Sequence, residues 1–252
     1  MKKLLLIALA AACVLSVGCS EEVKKSTVDY DKYKSSDDVS KDVDYTYYNL
    51  IGSDLTVVEK TDAKTFYFDT NVKKLTSEKK YSVMNYVSQS VGDFVAFNYI
   101  VVNGEDSALE SGHVAYKDDN NDMPENAVTS ITLKTGGKYY VYYASNGEWK
   151  ERKKSSHLNN VVVYETGNAT AQYSVKADKD DTELYMETVD YSDEKTAAMF
   201  FDTKGNLVAE GYYKDGKAVI LKTAKVLKCD EERLAGYVKD VTVKTDTTSS
   251  KS

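Results

Sequence analysis

The amino-acid sequence predicts an all-β fold, either an antiparallel meander or a barrel-like sheet of many short strands. Apolar and polar positions alternate with a period of two, the pattern of a β-strand, and Tyr139, Val141 and Tyr143 share one such face. Aromatic and β-branched residues favour strands, and tyrosine alone occurs 21 times. Turn dipeptides such as Asn103-Gly104 separate the runs, so we expect tight hairpins between the strands.

The candidate strands cover most of the chain from residue 43 onward. They lie at approximately 43–51, 54–60, 64–70, 80–90, 93–102, 107–117, 127–135, 138–145, 159–166, 169–177, 182–191, 196–203, 206–213, 217–228 and 236–244. Sustained helical periodicity is absent, although Asp230–Leu234 suggests one helical turn. We expect one β-rich domain over 43–245, or two units that divide near residue 155, where Lys150–Asn160 is the most polar break. Residues 246–252 are predicted to be a disordered tail.

Residues 201–217 carry an internal motif, FDTKGNLVAEGYYKDGK. It resembles the variant MORN repeat of bacterial proteins, whose pattern runs aromatic-Asp-x-x-Gly-x-Leu-x-x-Glu-Gly-x-Tyr-x-x-Gly-Lys. The resemblance implies a β-hairpin unit with turns at Gly205 and Gly216 and with Leu207 and Tyr213 facing inward. It implies no enzymatic activity.

The amino terminus has the layout of a secretion signal. It begins Met-Lys-Lys, continues with the apolar and small residues Leu4–Val17, and turns polar at Ser20. A basic start, an apolar run and a small residue at the cleavage point, here Gly18, are the parts of such a signal. Because Cys19 follows directly, residues 1–18 resemble the signal peptide of bacterial lipoproteins, whose lipobox ends in the cysteine that receives the lipid.

This resemblance implies that Cys19 is the site of lipid attachment and that palmitate-type acyl chains hold the mature chain at a membrane. Cys13 is a rival, but cleavage before it would leave the apolar residues Val14 and Leu15 at the new terminus. An ordinary cleaved signal peptide and an uncleaved anchor are the alternatives. The apolar run is shorter than the about 20 residues that a membrane span needs.

Residues 19–42 are polar and aperiodic, which predicts a flexible tether between the lipid and the domain. Glu21 and Glu22 resemble the acidic export tags that some Gram-negative bacteria use to place lipoproteins on the cell surface. The resemblance implies a location in the bacterial cell envelope, at the outer membrane or cell surface rather than the inner membrane.

Charge and cysteine content limit the partners and the means of stabilisation. The full chain has a formal charge of −7, and loss of Lys2 and Lys3 leaves 31 basic and 40 acidic residues, or −9. This excess of acidic residues argues against a nucleic-acid partner and against a domain that lies flat on anionic lipid. Once Cys13 is cleaved off and Cys19 is acylated, Cys229 is alone, so no intrachain disulfide is expected.

Trp149, Tyr140 and Tyr142 are the candidate ligand-binding residues. Trp149 is the only tryptophan and precedes a basic run. Exposed aromatic rings with a polar atom are suited to stacking on a sugar or on a protein partner. The alternation around Trp149 fits a core-facing strand residue equally well, so both interpretations stay open.

No metal site, cofactor or catalytic group is predicted. The two histidines, His113 and His157, lack zinc-type spacing. The acidic loop 118–122 begins like a calcium site, but Met123 stands where that site requires glycine, which favours a plain hairpin loop. The nucleophile-elbow, P-loop and dinucleotide motifs do not occur.

Together these features predict a cell-envelope lipoprotein that acts as a non-catalytic binding or structural module. Its partners would be the lipid bilayer, through Cys19, and a protein or glycan. One alternative is a surface carbohydrate- or ligand-binding protein that uses exposed tyrosines and Trp149. Another is a secreted hydrolase, for which the sequence offers no nucleophile–base motif.

Overall fold

The computed structural model describes residues 24–25, 45–87, 94–115, 127–145, 147–153, 162–178 and 181–246. Over these ranges it contains fourteen strands in one sheet with antiparallel pairings, which confirms the predicted all-β class. The strands are β1 (Lys24–Lys25), β2 (Asp54–Lys60), β3 (Lys80–Val87), β4 (Phe94–Asn103), β5 (Asp106–Ala115), β6 (Ala127–Thr135), β7 (Lys138–Tyr143), β8 (Glu148–Arg152), β9 (Asn168–Ala177), β10 (Glu183–Ser192), β11 (Lys195–Phe201), β12 (Leu207–Lys214), β13 (Lys217–Thr223) and β14 (Lys225–Lys228). The helices are α1 (Tyr45–Tyr48), α2 (Lys73–Thr76), α3 (Val162–Thr166) and α4 (Glu231–Asp246), and a π-helical segment (Phe68–Val72) precedes α2.

Strands β3 to β8 form the meander, in which neighbours along the chain are neighbours in the sheet. Strand β14 pairs with β3 on the side away from β4. At the opposite edge the two residues of β1 pair with β8, and Lys24 lies opposite Trp149. Lys24 and Lys25 therefore lie at the outer edge of the meander.

Strands β9 to β13 continue as a second run of hairpins, and β2 pairs with both β9 and β13. These six strands form a closed six-strand ring. The alanines Ala177, Ala198, Ala209 and Ala218 lie in its buried interior beside Phe200. Small side chains leave room for the few large ones in so narrow a ring.

The MORN-like stretch supplies β12, the end of β11 and the start of β13 in this ring. Gly205 and Gly216 occupy the two turns with φ of +79° and +78°, a backbone region that glycine enters without steric penalty. Leu207 is buried and Tyr213 is half-buried. Gly205 and Gly216 thus lie in the two turns that flank β12.

The meander and the ring share a hydrophobic cluster. Tyr81 and Ile100 reach it from the meander, Phe201 and Leu207 from the ring, and Phe68 from the π-helical segment. On the other face of the meander α4 packs against the sheet. The sheet thus has a covered face on each side near β3–β5.

Four predicted strands are wrong. The structure has helical segments in place of the strands at 43–51, 64–70, 159–166 and 236–244, and β8 was missed as a strand. The longest of these segments is α4. Its buried residues Leu234, Tyr237 and Val241 follow the three- and four-residue spacing of a helix, and the Asp230 carboxylate accepts a hydrogen bond from the Arg233 N–H at 3.2 Å.

Several predicted features lie outside the described residues, namely the signal peptide 1–18, Cys19, the acidic loop 118–122, His157 and residues 247–252. Within the predicted tether, the structure describes only Lys24–Lys25, which form β1. The two-unit alternative near residue 155 stays a prediction. None of the described helices is long and apolar enough to cross a membrane.

Candidate functional site

The predicted ligand-binding aromatics lie beneath α4. Trp149 is 4% exposed and Tyr142 is 8% exposed, while Tyr140 is half-buried. The Trp149 Nε1–H donates a hydrogen bond to Asp240 Oδ2 of α4 at 2.6 Å. A ring that is covered in this way has no open face for a sugar. The expectation that Trp149 and Tyr142 form an exposed stacking surface is therefore wrong, and both side chains face the core.

Strand register places these rings in one row across the meander. Directly opposite each other on β3 to β8 lie Met84, Tyr99, Glu110, Ile131, Tyr142 and Trp149. Paired residues of antiparallel strands share a face, so a carboxylate stands among aromatic and aliphatic side chains. Glu110 is fully buried there.

Glu110, Arg233 and Tyr237 form the buried polar cluster. The Tyr237 hydroxyl donates to Glu110 Oε1, and Arg233 Nε lies 3.4 Å from the same oxygen. Among the described residues Glu110 Oε2 has no hydrogen-bond partner. Burial raises the pKa of the Glu110 carboxyl to about 7, although Arg233 and the Tyr237 hydroxyl act in the opposite direction.

Arg233 also contacts the sheet and the start of its own helix. Its guanidinium carbon lies 4.8 Å from the centroid of the Tyr99 ring, and its Nε lies 3.5 Å from Asp230 Oδ2. The buried polar cluster therefore joins the carboxyl-terminal helix to the middle of the meander. A carboxyl with a pKa near neutrality can take up or release a proton there, but it is closed off from a substrate.

A second buried carboxylate, Glu187, lies in the ring and is fully hydrogen-bonded. Its Oε1 accepts from the Tyr67 N–H at 2.8 Å and from Gln172 Nε2 at 2.7 Å, and its Oε2 accepts from the Phe68 N–H at 2.8 Å. Burial raises the pKa of the Glu187 carboxyl above its ordinary value, although the three donors act in the opposite direction. The carboxylate supplies the acceptors that the start of the π-helical segment needs, which explains why the predicted strand at 64–70 is helical.

A third carboxylate, Glu210 on β12, bridges two neighbouring elements. It accepts a hydrogen bond from the Tyr164 hydroxyl of α3, and its Oε2 lies 3.0 Å from Lys222 Nζ on β13. Glu210 is thus held by the fold's own groups, as Glu110 and Glu187 are.

Neither Cys229 nor the groove at the β10–β11 turn has the surroundings of a reactive site. Cys229 is half-buried, its Sγ donates to the Val102 carbonyl at 3.2 Å, and burial raises the pKa of its thiol. A groove of about 620 Å³ at the β10–β11 turn is lined partly by Asp190, Asp193 and Glu194. Across the part of the chain that the structure describes, no three metal-ligating side chains converge.

The chain was also compared with known protein families, curated proteins and solved structures, and none of them matches it.

Proposed function

We propose that this chain is a cell-envelope lipoprotein, held at a bilayer by acyl chains on Cys19, and that it acts as a non-catalytic binding or structural module. The observation that carries the proposal is the amino-terminal sequence. A basic start and the apolar run Leu4–Val17 lead to Gly18 and Cys19 at the point where the composition turns polar.

Acylation would make the attachment firm. Each buried methylene contributes about 0.8 kcal/mol, and a single acyl chain gives only marginal binding, so stable anchoring takes more than one chain. The family that the signal resembles carries two or three chains on its cysteine. The module would then remain at the membrane throughout its lifetime.

The folded part supports the module half of the proposal. The buried carboxylates Glu110 and Glu187 and the partly buried Glu210 each bind groups of other elements, and so they serve packing. The hairpins at 201–217 resemble a repeat that implies no enzymatic activity. These features favour a scaffold whose polar groups hold the sheet and its helices together.

The anchor is tested by Cys19→Ser, followed by labelling with a radioactive fatty acid and by detergent phase partitioning. We expect loss of the label and transfer of the chain to the aqueous phase. Cys13→Ser and Cys229→Ser are matched controls, since both should keep the label. A Cys19→Ser chain that still takes up fatty acid, or a wild-type chain that takes up none, would contradict the proposal.

A further inference from the structure

Strand β1 sets how far the folded part can lie from the proposed anchor. Lys24 is the fifth residue after Cys19 and pairs with Trp149 of β8. An extended chain spans about 3.5 Å per residue, so five residues reach about 17 Å. The β8 edge of the meander is therefore the part of the sheet nearest to an acylated Cys19.

The face of β6 to β8 opposite α4 carries basic and tyrosine side chains. Register places Arg152 opposite Tyr139 and Tyr139 opposite Lys134, and it places Lys150 in the next row, opposite Val141. Along their strands these residues are offset by one or three positions from the row that lies under α4, so they share the other side of the sheet. We call Lys134, Tyr139, Tyr143, Lys150 and Arg152 the basic face.

The basic face reverses the charge balance of the chain. It holds three basic residues, and the acidic residue that register places on the same side of β8 is Glu148. Arg152 is exposed, while Lys134, Tyr139, Tyr143 and Lys150 are half-buried. Lys134 also lies 3.8 Å from Glu105, a contact at the outer limit of an ion pair. The chain's formal charge of −7 thus conceals a positive region beside the edge that β1 occupies.

We propose that the basic face docks on an anionic lipid bilayer, to which the lipid on Cys19 tethers it. This inference rests on the proposed function, because acylation places a bilayer within reach of the β8 edge. Each basic residue near an anionic surface strengthens binding about fivefold. Tyrosine rings favour the membrane–water interface, where their hydroxyl groups stay hydrated.

Lysine footprinting on the acylated chain tests the proposal. The chain is reconstituted on vesicles of phosphatidylcholine with or without phosphatidylglycerol, acetylated with an amine-reactive ester, and analysed by peptide mass spectrometry. On phosphatidylglycerol vesicles we expect acetylation of Lys134 and Lys150 to slow several-fold. Lys204 and Lys214, which are exposed on the ring, serve as internal controls and should react at an unchanged rate.

Paired variants give the second test. Lys150→Gln with Arg152→Gln should lower the ratio of docked to undocked chain about twenty-fivefold and restore acetylation of Lys134, whereas Lys204→Gln with Lys214→Gln should change neither. Equal protection of Lys150 on both vesicle types, or no protection on either, would contradict docking through the basic face.

If the chain is found to carry no fatty acid, that result contradicts only the proposed anchor on Cys19. When such a chain is mixed with phosphatidylglycerol vesicles, slowed acetylation of Lys150 still supports the face, and unslowed acetylation overturns it.

Discussion

The meander and the six-strand ring each bury one glutamate completely, and the two carboxyl groups differ in their hydrogen-bond partners. In the ring, three N–H donors reach the two oxygens of Glu187. In the meander, both donors approach Oε1 of Glu110, and among the described residues Oε2 has no partner. The ring carboxylate thus requires two acceptor oxygens, whereas the meander carboxyl requires one. The same Glu→Gln substitution should therefore have opposite outcomes in the two regions.

The two regions also fill their interiors differently. The ring encloses alanines around Phe200. The covered face of the meander packs aromatic rings around a charged cluster and depends on α4 to close it. Packing should dominate the stability of the ring, and polar contacts with α4 should modulate that of the meander.

The largest effect is expected for Phe200→Ala in the ring interior. A closed ring of strands collapses poorly around a lost side chain, so the free energy of unfolding should fall by about 4 kcal/mol. Urea unfolding followed by circular dichroism measures it. Tyr212→Ala on the neighbouring strand β12 is the control, because Tyr212 is 43% exposed. Similar losses for both variants would show that the ring interior does not carry its stability.

Glu110→Gln should change the pH dependence of stability. The carboxyl has a pKa of about 7 in the folded chain against 4.5 as its ordinary value, so folding favours its protonated form. That contribution is fully present below about pH 4.5 and is lost as the pH rises through about 7. Between these limits wild-type stability should fall by roughly 3 kcal/mol relative to the variant, which cannot titrate.

Urea unfolding of both chains from pH 4.5 to 8 measures this difference. Arg233, Asp230, Tyr99 and Tyr237 surround the carboxyl and remain in both chains, so the difference curve reports Glu110 itself. A difference that does not change with pH would contradict a raised pKa. An amide fits this site because its NH₂ group can occupy the position of Oε2.

The strands were largely predictable from the sequence because alternation and glycine turns are local signals. β2 and β6 have the bounds that the pattern predicts, Asp54–Lys60 and Ala127–Thr135. The π-helical segment was not predictable, because its N–H acceptors come from Glu187, far along the chain. Two-residue alternation likewise does not show that β2 returns to close a ring.

The candidate site was misplaced because α4 was missed. Without a helix over the meander, the alternation around Trp149 leaves open which side of the strand is covered. A signal for the helix was present in Asp230, Glu231 and Glu232, a capping residue followed by acidic residues in the first turn. The buried polar cluster joins β5 to α4, which are remote in the sequence, and its geometry follows only from the tertiary structure.

Glu187→Gln should destabilise the ring by about 2 kcal/mol, in contrast to the same change at Glu110. One carboxylate oxygen becomes an NH₂ group that faces either the Phe68 N–H or the donors on Oε1, and two donors repel each other. Glu183→Gln is the matched control, because Glu183 is exposed on the same strand. Urea unfolding at pH 7 compares the three variants, and equal stability of the Glu110 and Glu187 variants would remove the distinction between the two regions.

Trp149→Phe should give the smallest effect, about 1.5 kcal/mol, because it removes the indole N–H that donates to the Asp240 carboxylate while it keeps most of the apolar contact. Circular dichroism must report unfolding, since the variant lacks tryptophan. Combining it with Asp240→Asn isolates the contact, because the amide oxygen accepts the same hydrogen bond without a charge. If the bond between Trp149 and Asp240 holds α4 on the meander, Trp149→Phe will cost less in the Asp240→Asn chain than in the wild type. If the two effects simply add, α4 is held by its apolar residues and by the buried polar cluster, and the meander resembles the ring more closely than its polar contacts suggest.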